Sequence, residues 1–302
     1  FPLPLPTGID PKTIRKNFYV FQQVYGADIE LEGDIKNFTL YLKQTPSEIP
    51  YNCETLNLKK YQLPILAGTD KHGKVVIYDK YPHLLIAGET GSGKSTQLRA
   101  ILTTLIQALS PEQLQLYLCD MKRSEFHIFR RVQHVRGPFI TAQELYAALE
   151  LLKIEMQNRG TLLDQYELSH VDDLPFRLPY IVLCIDEVAM LKKEKAVMDL
   201  VEEISAIGRA LGVFLILSMQ RPDSEVLDGK LKVNMTVRMG FKTADLINSK
   251  IIGTSGSEKI KYPGKFLLKA PIFDELTEIT SHFLPVGEAK KILEGFKSTD
   301  RK

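Results

Sequence analysis

Residues 83–96 read His-Leu-Leu-Ile-Ala-Gly-Glu-Thr-Gly-Ser-Gly-Lys-Ser-Thr, and inside them Gly88 to Ser95 spell G-x-x-x-x-G-K-S. A glycine-rich turn can match such a pattern by chance. Here the apolar run Leu84–Ala87 feeds it as a strand would, and Gln97–Leu109 follows with helical apolar spacing. That context is what a phosphate-binding loop requires. Gly88, Gly91 and Gly93 let the backbone fold tightly and turn its N–H groups toward phosphate oxygens. The helix start adds its dipole and unpaired amides. Residues Gly88, Glu89, Thr90, Gly91, Ser92, Gly93, Lys94, Ser95 and Thr96 are therefore expected to cradle a nucleoside triphosphate. Lys94 would reach the β- and γ-phosphates, and the Ser95 hydroxyl would hold magnesium.

Working outward, strands and helices alternate from Leu84 onward, the pattern of a mainly parallel sheet flanked by helices, an α/β fold. Strands are expected at 84–87, 114–119, 180–185, 213–218 and 234–241, and helices at about 95–109, 142–158, 195–210 and 244–252. Thr141 with Glu144 forms a capping box, and Gly160 is placed to stop that helix. A strand pair at 265–269 and 276–279 and a helix at 287–296 would finish the domain. Upstream, Leu63–Ile77 reads as a hairpin, and Phe38–Leu42 is the best strand of a small α+β appendage. The expected organisation is a proline-rich linker (1–12), the appendage (13–62), the nucleotide-binding domain (63–296) and a frayed polar tail (297–302).

A second set of residues completes the chemistry. The apolar strand Tyr180–Ile185 ends in Asp186-Glu187. Asp186 at a strand's carboxyl end suits a metal held mainly through water, and Glu187 suits a general base polarising the attacking water. A solvated acidic pair is the plainer alternative. Paired with the phosphate loop, and with the acid adjacent, the reading is hydrolysis. The strand Val213–Ser218 leads to Gln220, which could sense the γ-phosphate, since ligands gather at the carboxyl ends of parallel strands. Arg209 could serve a neighbouring subunit's nucleotide as an arginine finger, or pair locally.

Composition excludes some classes and leaves others open. With 302 residues, 44% apolar and 25% charged, the chain is that of an ordinary globular protein. A net charge of +2 means that any grip on nucleic acid comes from local patches. Cys53, Cys119 and Cys184 form no metal-binding pattern; the latter two sit in apolar runs and read as core, pointing to an intracellular protein. No stretch reaches the ~18 apolar residues of a membrane span. Because the first residue is Phe1, the chain is expected to be the soluble portion of a longer polypeptide.

The ordered motifs resemble the FtsK/SpoIIIE group of DNA-pumping ATPases within the HerA–FtsK superfamily over roughly residues 64–270. The resemblance is carried by Gly68-Thr69-Asp70, by Pro82–Gly88 with Thr90–Ser95, and by Cys119-Asp120-Met121-Lys122. It continues through Glu155-Met156-x-x-Arg159, Asp186-Glu187, Gly208-Arg209-Ala210-x-Gly212 and Gln220-Arg221-Pro222. Lys232-x-Asn234, Arg238 and Pro263-Gly264-Lys265-Phe266 close it. It implies a RecA-like core working with ATP and Mg2+ as a ring, a hexamer, that moves DNA. Two features depart from the chromosome-segregating members: the chain stops soon after the motor, and Val188-Ala189 replaces a phenylalanine-alanine pair. Both look more like the coupling proteins of conjugative elements, with membrane-bound machinery and a place at the cytoplasmic face of the membrane. Lys122, Arg123, Arg130, Arg131, Arg136, Lys230 and Lys232 are candidate contacts to DNA phosphates, or else solvated or interface charges. Two alternatives are a type VII-like protein-secretion ATPase of the same motor family and a docking platform with little turnover. The ABC and GTPase readings fail for want of a serine-glycine-glycine signature and an asparagine-lysine-x-aspartate guanine reader.

Overall fold

The computed structural model describes residues 1–25, 29–42, 48–79, 83–227 and 229–298. Pro82 and positions 299–302 of the readings above lie outside them. The chain divides at Glu48/Ile49 into two units.

In the first unit, β1 (Pro2–Pro4), β3 (Asn37–Leu42) and β2 (Ile29–Gly33) form an antiparallel sheet in the order β1-β3-β2, joined by α1 (Pro11–Lys16) and α2 (Phe18–Tyr25). Prolines 2 and 4 thus lie on an edge strand, where a missing N–H is tolerated. Pro11 sits in the first turn of α1, behind the Asp10 cap. Leu5, Ile29, Phe38 and Leu40 are buried.

The second unit begins earlier than expected, at 49 and not at 63. The reason is that β4 (Ile49–Pro50) pairs with β15 (His282–Phe283), and the Tyr51 hydroxyl bonds to Thr104 and Gln107 of α3 (Lys94–Ala108). The remaining strands are β5 (Pro64–Asp70), β6 (Val75–Asp79), β7 (His83–Ala87), β8 (Leu114–Asp120), β9 (Val135–Phe139), β10 (Tyr180–Asp186), β11 (Val213–Met219), β12 (Val237–Phe241), β13 (Lys265–Lys269) and β14 (Thr277–Thr280). They form one ten-stranded sheet, β6-β5-β14-β13-β12-β7-β11-β10-β8-β9. The run from β12 to β9 is parallel; β13, β14, β5 and β6 extend it antiparallel.

Both faces are covered. Leu84, Ile86, Val182, Cys184 and Ile216 face α3 and α8 (Val286–Glu294); Leu85, Ala87, Leu183, Ile185 and Leu215 face α4 (Ala142–Tyr166), α5 (Lys195–Ile207) and α7 (Leu246–Ile252). Strands buried on both sides cannot alternate with polar residues, which is why they read as continuous apolar runs.

Several boundaries differ from expectation. Gly160 does not end α4, which continues to Tyr166 and closes on a left-handed Glu167; Leu163 is buried against the core and outweighs the ~1 kcal/mol that an interior glycine costs. Residues 229–234 form α6 (Gly229–Asn234), because Leu231 and Met235 are buried four apart on one side, so β12 starts only at Val237. Helix α5 stops at Ile207, since Gly208 fits between the Ile204 and Val213 carbonyls. In the tail, Lys297 bridges to Val132 and the Ser298 N–H donates to the Arg131 carbonyl, so these two residues are not frayed.

Candidate active site

The register of the parallel strands assembles the site. Between β7, which feeds the phosphate loop, and β10, which carries the acidic pair, runs β11, with Ala87 beside Met219 and Ile185 beside Leu217. A side chain on β11 can therefore touch residues from both motifs. Ser218 does so: the buried Lys94 ammonium donates to Ser218 Oγ at 2.7 Å and to Asp186 Oδ1 at 3.2 Å, and Ser218 Oγ donates to Asp186 Oδ1 at 2.7 Å. Lys94 and Asp186 are 5% and 4% exposed, so this ion pair sits in a weakly screened medium.

The loop is shaped by backbone. Gly93 has φ of 103°, and a Cβ there would lie 2.6 Å from Gly264 N; at Gly88 a Cβ would lie 2.5 Å from Phe241 Cβ. Backbone bonds hold the loop to distant parts of the chain: the Glu89 N–H donates to the Lys242 carbonyl at 2.9 Å, the Gly264 N–H donates to the Ser92 carbonyl at 2.8 Å, and the Gly88 N–H donates to the Met219 carbonyl at 3.2 Å. A Glu89–Lys242 ion pair at 3.2 Å adds to the first. Ser92 Oγ is buried with no hydrogen-bond partner among the described residues. An orphaned hydroxyl inside a glycine cradle fits a phosphate oxygen.

For a magnesium ion, the half-buried Ser95 hydroxyl at the start of α3 and the Asp186 carboxylate supply hard oxygen donors. That is the donor set expected of a cation that keeps several waters and shares phosphate oxygens. No cluster of three or more His, Cys, Asp or Glu able to hold a metal by itself occurs among the described residues.

Glu187 adopts a left-handed backbone, φ 58°. Its Oε1 accepts from the Gln220 backbone N–H at 3.1 Å, and its Oε2 pairs with Lys122 Nζ at 2.9 Å. Gln220 thus touches the acidic pair through its backbone, while its side chain has no bond among the described residues. Asp120, level with Asp186 across β8 and β10, accepts from the N–H groups of Ser124, Glu125 and Phe126 and so shapes the loop that carries Lys122. Burial, with the nearby Asp120 and Asp186 charges, pushes the Cys119 thiol up to about 12, and burial raises Cys184 well above its ordinary value. Both are inert core.

Arg209 is not brought to this cluster. It is exposed, four residues before β11 begins, whereas Gln220 follows that strand's other end. Seven residues of strand separate the two edges by roughly 20 Å. Reading from sequence missed Ser218, whose signal was a lone hydroxyl closing the run Phe-Leu-Ile-Leu-Ser, and gave Lys122 as a motif residue and a candidate contact to DNA phosphates or a solvated charge, not as a partner of Glu187.

A phosphate loop opening a buried helix, an acidic pair one strand removed from it, and a polar side chain on the strand between define a RecA-like P-loop ATPase. Residues 52–177 match the FtsK/SpoIIIE family. Over 260 residues the chain is 35% identical to the DNA translocase FtsK of Leptospira interrogans, covering 80% of this chain and 27% of that protein. Over 276 residues it is 32% identical to FtsK of Helicobacter pylori J99, covering 85% and 33%. The chain belongs to the FtsK/SpoIIIE family and carries its ATPase domain; it spans about a quarter to a third of the length of these relatives. Its fold is shared with the conjugation coupling protein TcpA of pCW3, solved in monomer form with ATPγS (TM-score 0.74, 23% identity, 96% of this chain and 87% of that one). It is shared too with the type VII secretion ATPase EccC of Thermomonospora curvata (TM-score 0.72, 22% identity, 85% and 35%).

Proposed function

We propose that the chain is the motor of an ATP-driven DNA translocase that works as a ring, a hexamer, in conjugative DNA transfer. The observation that carries the ATP half is the Lys94–Ser218–Asp186 chain with Glu187 beside it, a constellation built to bind phosphates and activate water. Lys94 and the loop amides hold the triphosphate. Ser95 and Asp186 would hold a magnesium ion, which would supply neutralisation of phosphate charge. Glu187 takes the proton of the attacking water.

The DNA half is supported by similarity above 30% to proteins named DNA translocases, along most of this chain. Clustered cations support it further. Burial, and after it the neighbouring Arg238 and Lys269 charges, lowers the Lys232 pKa, so that corner of the unit favours an arriving anion. The other candidates are more occupied: Lys230 pairs with Glu202, and Arg131 and Arg136 donate to the carbonyls of Ser298 and Gln133. Attachment to membrane-bound machinery belongs to the same proposal; no helix among the described residues is long and apolar enough to cross a membrane.

The test is steady-state ATP hydrolysis with duplex DNA, single-stranded DNA and an unfolded polypeptide, over a salt series. DNA stimulation that fades as salt rises supports the translocase. Stimulation by polypeptide alone would favour a secretion ATPase. Arg209, too far to act within its own chain, is assigned to the neighbour's nucleotide. An inactive Arg209→Ala protein mixed with inactive Lys94→Ala should regain part of the activity; no gain, with rings intact, removes that role.

A further inference from the structure

The proposed base is already engaged. Strand pairing sets Asp120 level with Asp186, so Lys122, two residues past one, and Glu187, one residue past the other, meet beyond the sheet edge. The backbone around Lys122 is pinned: the Asp120 carboxylate accepts from three amides of the loop, Arg123 N–H donates to the Asp120 carbonyl, and Phe126 and Phe129 anchor the loop in the core. Only the long Lys122 side chain is free to swing. The two partners differ in access, the Lys122 side chain being 34% exposed and that of Glu187 8%. A solvent-borne anion can reach the cation of this pair but not the carboxylate. The loop also presents Arg123 and Arg130, both exposed and without a side-chain partner among the described residues.

We infer that Lys122 is a brake on Glu187, released when the phosphodiester backbone of DNA takes the Lys122 ammonium for itself. This rests on the translocase reading above. With Lys122 in place, Glu187 Oε2 is held in an ion pair and Oε1 by the Gln220 amide. With Lys122 drawn to a phosphate, Oε2 is free to take a proton from water. That water's oxygen bonds to the γ-phosphorus, the bond from phosphorus to the β–γ bridging oxygen breaks with its electron pair leaving on ADP, and Glu187 returns the proton to solvent. Hydrolysis then waits for DNA without any contact between DNA and nucleotide. Lys122 is a positioning residue: it acts through Glu187.

The experiment compares the wild-type chain with Lys122→Met and Lys122→Arg, all checked for folding by circular dichroism, in ATP hydrolysis with and without duplex and single-stranded DNA. For Lys122→Met, kcat without DNA should rise roughly three- to tenfold, a small part of the ~10²–10⁴ that a positioned base contributes, with KM for ATP unchanged. Its stimulation by DNA should vanish. Lys122→Arg, which keeps the charge, should keep the low basal rate. A Lys122→Met basal rate at or below wild type overturns the brake, because it would mean that the lysine helps Glu187. A raised basal rate with full DNA stimulation retained overturns DNA as the release. If DNA fails to stimulate the wild type, the translocase reading and the release fall together, and the basal rate alone still decides the brake.

Discussion

Glu187 sits in a backbone conformation that non-glycine residues adopt rarely, with φ 58°, and both of its oxygens are committed to neighbours. Strain of this kind, on the order of 1–3 kcal/mol, survives where the surroundings over-determine it, and it gathers at functional sites. Replacing the acid by the isosteric amide keeps shape and removes basicity. Glu187→Gln should bind ATP as wild type does and lose roughly 10²–10⁴ in turnover. Single-turnover hydrolysis with separately measured nucleotide affinity checks this; near-normal chemistry would strip Glu187 of the base role. Lys94, Asp186 and Glu187 were legible because each belongs to a motif whose spacing is local. Ser218 and the Lys122–Glu187 pair were not. Their meaning comes from strand order, which puts β11 between two motifs far apart in sequence, and no local spacing records that.

At the scale of elements, the turn between α5 and β11 shows what a matched motif can conceal. Arg159, 2% exposed on α4, donates to the Leu211 carbonyl at 2.8 Å and the Pro179 carbonyl at 2.9 Å, and pairs with Glu155 at 2.7 Å. It ties that turn to the chain just before β10, so Glu155-Met156-x-x-Arg159 and Gly208-Arg209-Ala210-x-Gly212 are two halves of one clamp. Arg159→Met would leave two carbonyls unpaired and lower stability by about 2–4 kcal/mol. Denaturant midpoints with unchanged slope would measure it; a loss under ~1 kcal/mol would mean that the clamp is replaceable. Element type was readable wherever periodicity was strong, as in α3, α4 and the parallel strands β7, β8, β10, β11 and β12; the parallel edge strand β9, Val-Arg-Gly-Pro-Phe, carries no such apolar run and was not read. Ends were misread where a buried side chain outweighed a local signal: Leu163 carries α4 beyond Gly160, and Leu231 with Met235 builds a helix through Asn234, so the strand expected from 234 starts only at Val237.

At the scale of the whole second unit, histidines set an acid limit. Burial at the start of β7 lowers the His83 pKa from 6.5 to about 4, and burial lowers His134 and His282 too. Between those values the unfolded chain binds a proton that folded His83 refuses. Its stability is therefore complete above the unfolded pKa and falls as pH drops toward 4, by at most roughly 3 kcal/mol. Denaturation midpoints at neutral and mildly acid pH should converge for His83→Gln relative to wild type; equal losses in both proteins would clear His83. The α/β class and the parallel core were plain from the alternation of elements. The merger of the two antiparallel pairs into the same sheet was not, because β14 meets β5 across more than two hundred residues of chain.

The fastening of the phosphate loop to Lys242 and Gly264 has a consequence for dissecting this protein. The letters that announce nucleotide binding end at Thr96, yet the bonds that hold their shape come from residues well over a hundred positions further on. A piece trimmed to the signature, or to the 52–177 stretch that matches the family, would keep every recognisable letter and lose the scaffold that makes them a pocket. The smallest portion able to grip a nucleotide must run past Gly264, so the boundary of the working unit is drawn by main-chain amides and not by motif.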